Sequence, residues 1–174
     1  MLNRIVVLTL SLVFAGFAGA QSQQAIRDQL FGEVDAAKQA AEAVHAAILG
    51  PTAYAKAMEL YASAGDELAK GKDLERVREE AAEAKGLFEG ATKAAKLAQV
   101  TFADTLTARA AAEKAEAAKY AARDWQKVEA AMVEAATQLE GGNMNRATKS
   151  AADVTEDYRE VEADAINARA KAGG

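Results

Sequence analysis

Hydrophobic residues recur along this chain at alternating steps of three and four. Tyr54, Ala57, Tyr61, Ala64 and Leu68 follow that rhythm, and Trp125, Val128, Met132, Ala135 and Leu139 follow it again. Two longer stripes run through Leu74, Val77, Ala81, Ala84, Phe88, Ala91 and Ala95, and through Met144, Ala147, Ala151, Val154, Tyr158, Val161 and Ala165. Such spacing puts one narrow apolar seam on each of several helices, as in bundles and coiled coils.

Breakers and caps divide the pattern into about five helices. Gly50-Pro51 closes a first helix over residues 22–49, and Thr52 is placed to cap a second that ends near Gly71. Asp73 can cap a third. No strong breaker follows until Tyr120, so residues 73–119 are expected as one long helix or as two, bent near Val100, Thr101 and Phe102. Asp124 is a candidate start for the next helix, which ends at Gly141-Gly142, and a last helix covers residues 143–170.

The stripes are also duplicated. Phe31, Ala41, Glu42, Tyr54, Leu68 and Gly71 reappear 71 positions later as Phe102, Ala112, Glu113, Trp125, Leu139 and Gly142. After the loss of one residue, Leu74, Arg76, Val77, Ala81, Phe88 and Ala95 reappear 70 later as Met144, Arg146, Ala147, Ala151, Tyr158 and Ala165. Self-similarity at a fixed period marks a repeat architecture. The expected fold is all-α: a bundle or short helical-repeat array with two copies of a three-helix unit, over residues 22–100 and 101–170, which could share one long central helix.

Composition narrows the setting. Residues 1–20 read as a signal peptide, with Arg4 as a short positive region, an apolar run over residues 5–17, and Ala18-Gly19-Ala20 before Gln21. The apolar stretch is shorter than the roughly 20 residues a spanning helix needs, so no stable membrane insertion is expected once the signal is cleaved. Residues 21–174 then form a single helical domain. The leader holds one of the 21 basic residues and none of the 26 acidic ones, which leaves a charge of −6. A mildly acidic chain with interspersed signs does not suit nucleic acid or an anionic lipid surface. Cysteine is absent, which excludes disulfides, thiolate metal sites and thiol nucleophiles. Alanine supplies 43 of the 154 residues after the leader; it is the best helix former and lets backbones approach closely. Leucine at a seam alanine such as Ala64 or Ala151 should therefore overpack it, and Trp125 is expected to be buried.

Candidate chemistry is sparse. His45 is the only histidine, and its counterpart 71 residues on is Glu116, which reads as a variable helix surface. Glu79, Glu80, Glu83, Asp153, Glu156 and Asp157 are interleaved with Arg76, Arg78, Lys85, Lys149 and Arg159 at helical spacing, as on a solvated face of ion pairs. Gly71-Lys72-Asp73 and Gly141-Gly142-Asn143 lack a phosphate-loop pattern and read as turns between helices. The seam aromatics could line a small-ligand pocket, though their spacing favours core. No catalytic, cofactor-binding or metal-ligating residue is assigned, and no cofactor is expected.

The run 108–115 (Ala-Arg-Ala-Ala-Ala-Glu-Lys-Ala), then Tyr120-Ala121-Ala122, Trp125, and Leu139-Glu140-Gly141-Gly142-Asn143 before an alanine-spaced helix with Tyr158, resembles an uncharacterised family of exported bacterial helical domains. Its members often carry a lipobox cysteine or precede an OmpA-like peptidoglycan-binding domain. The match is best over residues 105–168; the first copy follows it loosely, and the lipobox is missing. A looser resemblance to tetratricopeptide-like helical pairs points the same way. The resemblance implies a periplasmic, or else secreted, non-enzymatic interaction or structural protein of the cell envelope, partnered by an envelope protein or by itself. A periplasmic chaperone or holdase, or a small-ligand carrier, is the alternative.

Overall fold

The computed structural model describes the backbone of residues 15–173 and the side chains of residues 24–173. Arg4 and most of the apolar run of the expected leader lie outside the described residues. The described chain is all-α, with eight helices and no strand: α1 (Ala15–Ala43), α2 (Ala46–Leu49), α3 (Pro51–Ala69), α4 (Leu74–Thr101), α5 (Ala103–Lys114), α6 (Ala117–Tyr120), α7 (Ala122–Glu140) and α8 (Met144–Ala172). Among these residues, no helix is long and apolar enough to cross a membrane.

The count exceeds five because the backbone breaks where the sequence shows no breaker. The expected first helix is interrupted at His45, which adopts φ 56°, and a matching interruption falls at Glu116 with φ 61°. An L-residue in this left-handed conformation costs about 1–2 kcal/mol, which surrounding packing must offset. Ala46 beyond the first break and Ala117 beyond the second are fully buried. Residues 73–119 are not one helix: the bend expected near Val100, Thr101 and Phe102 is present, and the break at Glu116 divides them again. The helix bends at Phe102, whose N–H still donates to Ala98 O at 2.8 Å while its carbonyl accepts from Leu106 N at 2.9 Å. The Phe102 ring is 1% exposed, so the chain turns around an aromatic anchored in the core.

Three boundaries differ from the sequence expectation or refine it. Asp73 does cap α4, accepting from Glu75 N at 2.9 Å. Thr52 does not cap α3: the helix starts one residue earlier at Pro51, and Gly50 precedes it without a side-chain cap. Asp124 does not open α7, which begins at Ala122; the aspartate lies in the first turn and pairs with Lys127 at 2.6 Å.

Both glycine turns close their helices in the same way. Gly71 N donates to Leu68 O and Lys72 N to Glu67 O, each at 3.0 Å; Gly142 N donates to Leu139 O and Asn143 N to Gln138 O, each at 2.9 Å. These paired bonds need a left-handed residue, and Gly71 (φ 65°) and Gly142 (φ 79°) supply it without a Cβ clash.

Packing follows the stripes. α4 lies against α1, α2 and α3, α8 lies against α5, α6 and α7, and α7 also touches α2, α3 and α4. One continuous core results. The α4 and α8 stripes are buried from Val77 and from Ala147 onward, whereas their first members Leu74 and Met144 stay exposed. Tyr158, Phe88, Phe102 and Met132 fill the space that the buried alanines leave. Trp125, expected in the core, is only half-buried: its ring lies 5.8 Å from Tyr158 on one side and takes the Arg109 guanidinium at 5.4 Å.

Candidate functional site

Among the described residues, a trough of about 880 Å³ opens at one end of the bundle. Ile26, Arg27 and Phe31 of α1 form one wall, Tyr61, Ala62, Gly65 and Leu68 of α3 the other, and Lys72 and Leu74 the far rim. It exists because α3 carries small residues at Ala62, Gly65 and Ala69 while Ile26 and Leu74 remain partly uncovered, at 36% and 43% exposure.

A polar triad ties the two walls together. Tyr61 Oη donates to Asp35 Oδ1 at 2.6 Å, Arg27 Nη1 to Asp35 Oδ2 at 3.1 Å, and Arg27 Nη2 to Tyr61 Oη at 3.3 Å. The bond to Asp35 raises the Tyr61 phenol above its ordinary value, and burial adds to it. The same carboxylate raises the Arg27 guanidinium. Phe31 meets Tyr61 edge-on at 5.5 Å, and the Arg27 guanidinium sits 5.3 Å from the centre of the Phe31 ring. With these polar groups paired to one another, the walls offer mainly aromatic and hydrocarbon surface.

Beneath the far rim lies an unusual acid pair. The carboxylate of Glu67 is 8% exposed and that of Glu80 15%, and both approach the single Arg76 Nε, at 3.1 and 3.2 Å. Lys72 reaches the other Glu67 oxygen at 3.3 Å. Oε2 of each acid is buried without an aligned hydrogen bond, that of Glu67 having only its ion pair with Arg76. The corresponding residues later in the chain are neutral: Gln138 accepts from Ser150 Oγ at 3.1 Å.

A second polar network lies inside the α5, α7 and α8 packing. Arg109 makes two parallel bonds to Glu129, Nε to Oε1 at 2.8 Å and Nη2 to Oε2 at 2.9 Å, while Tyr158 Oη donates to Glu129 Oε1 at 2.6 Å. Burial, reinforced by Glu129, pushes the Tyr158 phenol far above its ordinary range, and the Glu129 bond raises Arg109. A paired, partly buried arrangement of this kind orients side chains and specifies packing.

The residues singled out in the sequence are scattered. His45 is exposed at the first helix break, so its position marks a backbone kink and is not an ordinary helix surface. Arg76 pairs with Glu80 and Arg159 with Glu156 along their own helices, and Lys85 reaches across to Glu33 at 2.5 Å. Among the described residues, no group of three or more metal-ligating side chains converges. Of the seam aromatics, Phe31 and Tyr61 border the trough, and Phe88, Phe102 and Tyr158 are core. Sequence reasoning missed Arg27, Asp35 and Glu129. A signal existed for the last, because Glu129 and Tyr158 stand where the first half has Met58 and Phe88.

The chain matches no protein-family model, and no curated protein or solved structure shows significant similarity to it.

Proposed function

We propose that this chain is an exported, non-enzymatic helical interaction module of the bacterial cell envelope, made of two copies of a three-helix unit and docking protein partners in the periplasm. The observation that carries the two-copy reading is backbone agreement at the sequence period. His45 and Glu116, and Gly71 and Gly142, take left-handed conformations 71 positions apart, and the intervening helices α3 and α7 are both 19 residues long. Strained non-glycine residues rarely coincide in this way without a common unit behind them. Shallow grooves repeat too: Gln29, Glu33, Ala81 and Glu89 line one between α1 and α4, and their counterparts Val100, Asp104, Ala151 and Arg159 line another between α5 and α8.

The docking half rests on the trough, an apolar concavity with a polar rim, which is the form helical repeats present to partners. A small-ligand carrier is the second reading, since about 880 Å³ lies within the ~300–1,000 Å³ of ligand pockets. Fractionation of the source cells with N-terminal sequencing tests export. Protein beginning at Gln21 in the periplasmic fraction is expected, and an intact Met1 in the cytoplasm would sink the proposal. A photo-crosslinking residue at Ala62 should give a discrete protein adduct in the envelope; native mass spectrometry showing a retained small molecule and no adduct would favour the carrier.

A further inference from the structure

We infer that the trough is the docking site for a second copy of this chain, which enters it with the corner formed by α6 and the start of α7, so that copies join head to tail. The inference rests on the two-unit reading, because the template is a contact that one molecule already makes within itself.

In that internal contact, the corner formed by α2 and the start of α3 packs on α7. Glu140, at the end of α7, accepts the N–H groups of Thr52 and Ala53, both at 2.8 Å. The receiving face of α7 corresponds to the trough wall on α3: Met132 to Tyr61, Ala136 to Gly65, Leu139 to Leu68 and Glu140 to Ala69. Met132 and Ala136 are completely buried, whereas Tyr61 and Gly65 are partly exposed. The first unit's corner meets this face at Glu140, one helical turn from Ala136. Among the described residues, nothing plays that part for the trough.

The opposite end shows the complementary vacancy. Leu49 of the internal corner is buried, while its counterpart Tyr120 on the outer corner is partly exposed. One face lacks its corner and one corner lacks its face, at equivalent places in the unit.

The free surfaces also carry matched charges. Thr52 in the internal corner becomes Arg123 in the free one, and Thr137 on the receiving face becomes Asp66 on the trough wall. Both charged residues are exposed. The carboxylate of Glu140 has no counterpart, since Ala69 takes its place, so the contact between molecules lacks that cap and is weaker than the one within. Because the two faces differ, no two-fold axis closes the contact, and copies add in series.

Sedimentation velocity on the full mature chain over a range of concentrations tests this. Average mass should climb through dimer and trimer as concentration rises and fall again on dilution. Asp66→Arg and Arg123→Glu, both on exposed side chains, should each hold the chain monomeric. Mixing the two variants should restore association, because every contact then joins opposite charges. Ala69→Glu installs the missing cap and should lower the dissociation constant roughly tenfold. A wild-type chain and an Ala69→Glu variant that both stay monomeric overturn the inference. So does an assembly that stops at a dimer, or one indifferent to both charge reversals. Amide exchange at Thr52 and Ala53 in the monomer reads the internal contact separately. Fast exchange there removes the two-unit template, whereas slow exchange with no mass increase removes only the contact between molecules.

Discussion

Tyr158 and Glu129 meet at 2.6 Å between α8 and α7, and the residues 70 and 71 positions earlier in the sequence are the apolar Phe88 and Met58. A buried phenol and a partly buried carboxylate satisfy each other here, and each makes the other tolerable. Tyr158→Phe should cost about 1–2 kcal/mol by leaving Glu129 short of a donor. Adding Glu129→Met to it should cost less than the two single changes summed, with a coupling of about 1 kcal/mol. Urea denaturation of the four proteins in that cycle measures the coupling, and strict additivity would show that the pair does not act as a unit.

The same tyrosine sets an alkaline limit. Its folded-state value lies far above that of an unfolded chain, so the native protein keeps a proton that the unfolded one releases. Its contribution is present below the unfolded value of about 10 and is lost as pH rises beyond it. Tyr61, raised chiefly by Asp35, adds in the same direction. Stability measured by urea melts should fall as pH rises past about 10, and Tyr158→Phe should flatten that fall.

Glu140 acts as the N-terminal cap that α3 lacks in its own sequence. Glu140→Ala should destabilise the protein by about 1 kcal/mol through two lost hydrogen bonds and a lost charge at a helix N-terminus. Glu140→Gln should recover part of that. Thermal melts give the size of the effect, and faster amide exchange at Thr52 and Ala53 locates it.

Two glycines should respond oppositely to alanine. A Cβ at Gly50 would lie 2.6 Å from Ala91 O on α4, an overlap with backbone that cannot yield cheaply. Gly50→Ala should therefore cost about 1–3 kcal/mol. A Cβ at Gly65, within α3, meets nothing within 4 Å, so Gly65→Ala should raise stability by about 0.5–1 kcal/mol. Melting temperatures of the two variants that move in the same direction would refute the account.

Much of the fold is legible because it depends on period and on local chemistry. The 3-and-4 spacing marks the buried face of α4 and α8, and the glycines at 71 and 142 mark left-handed turns that favour a residue without Cβ. The Asp73 cap is equally local. The breaks at His45 and Glu116 were not legible, since neither residue favours positive φ strongly; burial of Ala46 and Ala117 imposes it. Trp125 reads as core by spacing, yet its position beside the charged Arg109 leaves it half-covered.

By itself the sequence determined that this protein is helical, which residues face inward along each helix, and where most helices stop, because those properties arise from contacts a few residues apart. Only the tertiary structure decided which seams meet, that Glu140 caps a helix 88 positions earlier, and that Arg27, Asp35 and Tyr61 tie the two walls of a trough together. The reason is physical. Periodicity specifies a face, but not its partner, and the free surfaces where this molecule can bind are those left over once the internal pairings have formed.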